Sequence, residues 1–215
     1  MSEVVGWVPM GAQASSSYHH GNLRRALLDA VEAIVGEQGL EALTLRACAR
    51  RAEVSPAAVS HHFGDKRGML TEFAVEGLDA LKAQVACELR EAGADAGERV
   101  RGIGRAYVRT ALERPAHFRV MFRRELLHED ERLQNGSVFE LLMSEIAGLD
   151  RFLGREPHDL RPRAQFAWAT VHGHALLLLD ATANPNVDTD GDVERAMERL
   201  DAVLTCVLDG LTGPG

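Results

Sequence analysis

The sequence has few aromatic residues and few cysteines, and each shortage excludes a class of protein. Phe, Trp and Tyr make up 5% of the 215 residues, while Ala, Leu, Glu and Arg are abundant, which favours helix over sheet. The cysteines Cys48, Cys87 and Cys206 lie far apart and form no CxxC pair, so we expect neither a disulfide framework nor a zinc ribbon. We expect three buried, reduced thiols instead.

Long apolar runs and catalytic motifs are also missing. The longest apolar run, residues 175–179, is far too short to span a bilayer. Residues 1–17 lack the basic and apolar regions of a signal peptide, and their Gly, Pro and Ser content predicts a flexible arm. GxSxG, HExxH, P-loop and dinucleotide-binding glycine patterns do not occur. We therefore expect a cytoplasmic protein that is not an enzyme, needs no cofactor and has no membrane partner.

A metal site is not expected either. His172 and His174 invite that interpretation, but two residues apart on a helix they point to nearly opposite sides and cannot share one ion.

The charge is unevenly distributed along the chain. The net charge of −8 at first argues against a nucleic-acid partner. Residues 18–68, however, contain seven Lys and Arg against six Asp and Glu, together with four of the nine His. The acidic excess therefore lies in the rest of the chain, and one end is able to meet phosphate.

The spacing of apolar residues predicts an all-α fold of about nine helices. The first helix is expected at about 22–38, the second at 45–51 after the capping residue Thr44, and the third at 56–63 after Ser55. Asp65 caps a long fourth helix, and the last two helices are expected at about 162–183 and 190–209. We predict a three-helix head at 18–64 and a larger helical domain at 65–215.

Two short helices joined by a tight turn after a longer helix form a helix-turn-helix signature. Ala49, Val54 and Val59 are apolar where the two short helices must touch. The small residues Ala57 and Ala58 let the third helix approach base edges and can contact thymine methyl groups. The hydroxyls and helix N-termini at Thr44 and Ser55 can meet phosphate.

This segment, with its continuation Phe63-Gly-Asp-Lys-Arg-Gly-Met-Leu70, resembles the tetracycline-repressor (TetR) family of bacterial regulators. The resemblance covers about residues 18–75. The opening Tyr-His-His-Gly-Asn-Leu-Arg at 18–24 and the pattern Trp168-x-x-x-His172-Gly173 are similar to one branch of that family.

The resemblance implies that the third helix enters the major groove and that Arg46 reads a base, with guanine the expected partner through a bidentate contact. There are two departures. Glu53 stands where the family usually has the turn glycine, and Ser60 stands where Tyr is frequent. The expected DNA-binding residues are Thr44, Arg46, Ser55, Pro56, Ala57, Ala58, Ser60, His61, His62 and Lys66. Arg50 and Arg51 could instead form a solvated face.

Helix-turn-helix proteins bind pseudo-palindromic double-stranded operators as dimers, so we expect a homodimer. We expect the amphipathic faces of the last two helices to form the dimer interface. The expected dimer residues are Val171, Ala175, Leu178, Leu179, Val193, Met197, Leu200 and Leu204.

The resemblance also implies a cavity for a small hydrophobic effector, whose binding would move the fourth helix and release the operator. Met and aromatic residues suit such a cavity, although for any single one ordinary core packing is the favoured alternative. The candidates are Tyr107, His117, Phe118, Met121, Phe122, Phe139, Met143, Phe166, Trp168 and His172. Two alternatives remain: an interaction module that has lost DNA binding through Glu53 and Ser60, and an enzyme for a hydrophobic substrate.

Overall fold

The computed structural model describes the backbone of residues 16–133, 137–180 and 193–213, and the side chains of these ranges from Leu23 onward. Within these ranges the chain forms helices and turns and no strand, so the all-α prediction is confirmed. None of the described helices is long and apolar enough to cross a membrane. Residues 1–15 of the predicted arm lie outside the described residues.

The chain divides into two compact units between Asp65 and Lys66. The helices of the first unit are α1 (Ser16–Gln38), a short 3-10 helix (Leu40–Ala42), α2 (Leu45–Arg51) and α3 (Pro56–Phe63). The bounds of α2 and α3 are those predicted. Helix α1 begins earlier than predicted, so the last two residues of the predicted arm 1–17 are helical.

The core of the first unit lies between α1 and α2. Leu27, Val31 and Val35 form one buried stripe of α1, and Cys48 of α2 is buried against it, with its Sγ 3.4 Å from the Leu27 carbonyl oxygen. Burial raises the pKa of the Cys48 thiol to about 11, so it stays protonated. The expectation of three buried thiols is confirmed for Cys48 alone, because Cys87 is half-buried and Cys206 is exposed.

The second unit is built around one central helix. Its helices are α4 (Lys66–Ala92), α5 (Ala96–Glu113), α6 (Pro115–Met121), short 3-10 helices at Arg124–Leu126 and Glu131–Leu133, α7 (Val138–Phe152), α8 (Leu160–Leu179) and α9 (Val193–Thr212). Helix α5 packs against each of the other five α-helices. Small residues on α5 permit this close packing: a Cβ added to Gly104 would lie 2.4 Å from a methyl group of Leu204.

Ion pairs tie the outer helices to one another. Arg163 of α8 donates to the carboxylate of Asp150 in α7 at 2.6 and 2.9 Å and to the Leu211 carbonyl of α9 at 2.7 Å. Asp150 is fully buried, and its hydrogen bonds with Arg163 hold the pKa of the carboxyl below its usual range.

Candidate DNA-binding surface and regulatory cavities

Two capped helix starts shape the candidate DNA-binding surface. Thr44 precedes α2 in extended backbone, and its hydroxyl oxygen accepts from Ala47 N–H at 3.0 Å. Ser55 precedes α3 in the same way and accepts from Ala58 N–H at 3.2 Å, while Pro56 occupies the first helical position. Each side chain satisfies a backbone donor that a helix start leaves unpaired. Both hydroxyls still have a proton to donate.

Helix α3 has one buried and one exposed face. Val59 and Phe63 are buried one turn apart and fix the helix to its unit. The exposed face consists of Pro56, Ala57, Ser60 and His61, with Ala58 and His62 half-buried at its margins. The structure thus brings the candidate α3 residues together on one outward surface.

Arg46 is exposed in the first turn of α2, just beyond the Thr44 cap. Within the described part of the chain its guanidinium has no ion pair or hydrogen bond with another side chain. Arg51 differs, because it donates two hydrogen bonds to the Glu37 carboxylate at 2.6 and 2.8 Å and joins α2 to α1. Of these two arginines, Arg46 is the one placed to meet a ligand outside the chain.

The turn between α2 and α3 contains a positive φ at a residue other than glycine. Glu53 has φ 55°, in the left-handed region, and Val54 N–H then donates back to the Ala49 carbonyl at 2.9 Å. Glu53 thus occupies, at some strain, the turn position where the family usually has glycine. Lys66, the last of the candidate DNA contacts, is half-buried and belongs to the second unit as the first residue of α4.

Most of the predicted cavity residues form one aromatic cluster in the second unit. The Tyr107 hydroxyl lies 2.7 Å from His172 Nδ1, in a hydrogen bond between α5 and α8. The Tyr107 ring centroid lies 5.3 Å from that of Phe118 and 5.0 Å from that of Trp168. Phe122 lies 5.1 Å from Phe118, again between centroids. Burial lowers the pKa of His172, so its neutral form is favoured.

Two cavities adjoin this cluster, and Trp168 forms a wall of both. The first cavity is small, with a volume of about 30 Å³. It is lined by Val100, Arg101, Ile103, Gly104, Tyr107, Leu142, Ala167, Trp168, Val171, Leu204 and Val207. The second cavity has a volume of about 230 Å³. It is lined by Leu78, Leu81, Met121, Phe122, Arg124, Leu133, Ser137, Val138, Phe139 and Trp168.

Three candidate residues lie elsewhere. His117 is fully buried with its ring stacked on Phe73 of α4, at 3.8 Å between centroids. Phe166 is 48% exposed and lies against α9, where an added Cβ on Gly210 would be 3.0 Å from its ring. Met143 is half-buried on α7 and is not among the described lining residues of either cavity. Apolar spacing shows which residues are inside a helical unit but not which of them border empty space.

Sequence reasoning missed Arg124 and Leu133, both of which line the second cavity. They lie in the stretch between α6 and α7, where no helical period marks an inward side. We call residues 123–133 the connecting segment. Arg124 Nη2 donates to the Leu133 carbonyl at 3.0 Å, and this hydrogen bond joins the beginning of the segment to its end.

The connecting segment is also bonded to the first two turns of α4. The Thr71 hydroxyl accepts from His128 N–H at 2.9 Å, and Arg67 donates to the Leu127 carbonyl. Arg132 forms an ion pair with Glu72, again on α4. A displacement of the segment would therefore pull on the start of α4.

The predicted dimer surface is corrected by the structure. Six of its residues are buried within the chain itself: Val171, Ala175, Leu178, Met197, Leu200 and Leu204. Leu179 and Val193 are half-buried. Helix α5 packs against both α8 and α9, and α7 packs against α8, so these six side chains are occupied by contacts within the chain.

The opposite side of the same helices is exposed and apolar. We call it the outer face of α8 and α9. It includes Phe166, Leu176 and Leu177 of α8, which are 41–48% exposed. On α9 it continues with Ala202, Cys206 and Gly210, each exposed and spaced one helical turn apart.

These features define a protein that presents a helix-turn-helix to DNA and carries a separate helical unit with internal cavities. Residues 27–73 match the bacterial regulatory proteins of the tetR family. Residues 100–204 match the tetracyclin repressor-like C-terminal domain.

Individual proteins agree with these matches. The HTH-type transcriptional regulator BetI of Burkholderia thailandensis is 32% identical over 188 residues, which cover 85% of this chain and 94% of that protein. BetI of Rhizobium meliloti matches over 47 residues at 47% identity, so this chain spans only 23% of that relative's length.

Solved structures share the fold. A protein of unknown function from Rhodococcus sp. RHA1 superimposes with a TM-score of 0.71 at 28% identity, covering 90% of this chain and 97% of that one. The TetR family regulator PfmR of Thermus thermophilus superimposes with a TM-score of 0.65 at 23% identity, covering 86% and 95%. The chain belongs to the TetR family of helix-turn-helix transcriptional regulators, and it is a DNA-binding regulator.

Proposed function

We propose that this regulator is a homodimeric repressor that binds a pseudo-palindromic operator and leaves it when a small hydrophobic ligand enters the second unit. The observation that carries the operator-reading role is Arg46, exposed in the first turn of α2 next to the outward face of α3 and unpaired among the described residues. We propose further that it acts in the cytoplasm, where its DNA is, and that it is a regulator without enzymatic activity, as its relatives are named.

Arg46 is suited to reading a base because a guanidinium has five donors in a planar fork that matches the O6 and N7 acceptors of guanine. Ser60 and His61 on the exposed face of α3 are suited to phosphate, which positions the protein without specifying sequence. The Glu53 carboxylate in the turn repels phosphate and weakens the electrostatic attraction to DNA. The DNA can nevertheless approach through α3 rather than through the turn.

The test is selection of bound DNA from a random pool with the wild type, Arg46→Ala and Arg50→Ala. We expect the wild type to select a palindrome with steep salt dependence. Arg46→Ala should lose preference at one base pair of each half-site, at a cost of about 1–3 kcal/mol. Arg50→Ala removes the same charge from the exposed side of α2 and should weaken binding to all sequences alike. An unchanged preference in Arg46→Ala would refute the assigned role.

Release by a ligand is supported by the bonds between the connecting segment and α4. Arg124 and Leu133 line the second cavity, while Arg132 and the His128 amide of the same segment are bonded to Glu72 and Thr71. A ligand that displaced the cavity wall would bias α4 through these contacts. The shift requires that the ligand prefer one arrangement of the wall over the other.

A further inference from the structure

The second cavity has the lining of a small-molecule site with one charged edge. Its volume of about 230 Å³ lies below the range of about 300–1,000 Å³ typical of sites for drug-sized molecules, so it suits a smaller ligand. Its walls are mainly apolar and include the rings of Phe122, Phe139 and Trp168. An uncompensated charge placed among these walls would be costly, so a ligand must keep any charge at the edge.

Arg124 supplies the charge at the edge of the cavity. It is exposed to solvent, yet it is the one charged residue among the described residues that line the cavity. Its Nη2 donates to the Leu133 carbonyl at 3.0 Å, which holds the guanidinium beside the cavity wall. In the described part of the chain its other N–H groups have no protein acceptor, and a guanidinium pairs with carboxylate through two parallel hydrogen bonds.

Two neighbouring groups favour the same kind of ligand. The Ser137 hydroxyl lines the cavity and accepts from Glu140 N–H at 3.1 Å, which leaves its proton to donate. The guanidinium carbon of Arg161 lies 5.9 Å from the centroid of Phe139, one of the lining rings. The described lining residues therefore offer donors and positive charge but no carboxylate.

We propose that the second cavity binds a monocarboxylate with an apolar body, whose carboxylate pairs with Arg124 while the apolar body fills the space between Met121, Phe139 and Trp168. This inference rests on the proposed ligand-responsive function and names the class of ligand. A cationic ligand of the same shape is repelled by Arg124, and a neutral one leaves the guanidinium unused.

The experiment uses three probes with one tail and different heads: decanoate, decan-1-ol and decylamine. The sequence has two tryptophans, so Trp7→Phe in the full-length chain leaves Trp168 as the only one and makes its fluorescence a report from the cavity wall. We expect decanoate to bind about tenfold or more tightly than the alcohol, and the amine to bind most weakly. In Arg124→Ala that advantage of decanoate should disappear, and Arg124→Lys should restore part of it.

Arg123→Ala is the matched control, since it removes the same charge one residue away. Arg123 is exposed and its Nε donates to Glu125 at 2.6 Å. The proposal would be overturned by equal affinity for the three heads, by a preference for the amine, or by no binding of any probe. It would also be overturned if the decanoate preference were lost in Arg123→Ala but not in Arg124→Ala.

Operator binding is followed in the same titration. If the protein prefers decanoate but stays bound to the operator, only the proposed release by ligand is contradicted. If the protein leaves the operator without preferring any of the three heads, only the proposed carboxylate pairing is contradicted.

Discussion

At the scale of single residues, Gly77 decides how closely α4 approaches α6. A Cβ added at this position would lie 2.7 Å from the sulfur of Met121 and 2.8 Å from the Cβ of His117. The sulfur could move, but the His117 Cβ is fixed to its helix and the ring is stacked on Phe73. Only a residue without a side chain fits between these two helices.

We therefore predict that Gly77→Ala destabilises the chain by about 1–3 kcal/mol, the usual cost of overpacking a core. Urea unfolding followed by circular dichroism measures the change. Gly36→Ala is the control, because it also lies in a helix but an added Cβ meets no atom within 4 Å. That variant should gain up to about 1 kcal/mol from helix propensity. Equal stability of the two variants would show that the α4–α6 contact yields to the extra methyl group.

At the scale of helices, Arg163 holds the ends of three elements together. It lies near the start of α8, pairs with the buried Asp150 of α7 and donates to the Leu211 carbonyl near the end of α9. Removing the carboxylate would leave a mostly buried guanidinium without its counter-charge. Loss of one partner of a buried pair costs about 3–5 kcal/mol.

The pair also makes a prediction about pH. Arg163 holds the pKa of Asp150 below its ordinary value, so the contribution to stability is present above the unfolded pKa of about 3.9 and is lost as the pH falls through the lower folded value. Asp150→Asn should lack this contribution at every pH. The difference in unfolding free energy between the wild type and Asp150→Asn should thus be constant near neutrality and shrink below about pH 4.

Urea unfolding at a series of pH values between about 3 and 7 measures this difference. Glu125→Gln is the control, since Glu125 pairs with Arg123 on the exposed surface and should change stability little at any pH. A difference between the wild type and Asp150→Asn that stayed the same in acid would contradict the assigned ion pair.

Helix starts with a chemical signal were predictable from the sequence. Thr44 and the pair Ser55-Pro56 fixed α2 and α3 to the residue, because a side-chain oxygen and a proline ring act locally. The start of α1 at Ser16 lies within a run of three serines, 15–17, that does not single out one capping residue, and the predicted start lies several residues too late. The aromatic cluster around Tyr107 was also predictable, since its members share the inward sides of α5, α6 and α8.

The sequence alone does not show which surface packs against an apolar stripe of a helix. Leu178 and Leu204 lie on strong apolar stripes, and such a stripe can face either the core of its own unit or a partner. The structure assigns both residues to the core. Arg124 was not predictable for another reason, because the connecting segment has no regular period from which its direction could be inferred.

At the scale of the whole molecule, the outer face of α8 and α9 is the surface that we propose for the partner copy. Leu177 is 46% exposed and follows Phe166, itself 48% exposed, at a spacing of eleven residues that keeps both on one side of α8. Exposed apolar residues gathered on one side of a molecule usually mark an interface. Helix pairs from two chains packed through such faces form a four-helix bundle with twofold symmetry.

We predict that Leu177→Glu dissociates the homodimer, because each twofold-related interface would then bury two unpaired carboxylates. Sedimentation equilibrium should give about twice the chain mass of 23.5 kDa for the wild type and the single-chain mass for the variant. Ala83→Glu adds the same charge at an exposed position of α4 and should stay dimeric. Leu200→Ala, at a buried position that apolar spacing alone assigns to the interface, should lower the unfolding free energy by about 2–5 kcal/mol while the folded protein remains dimeric. A monomeric wild type, or a dimeric Leu177→Glu, would show that the outer face is not where two copies meet.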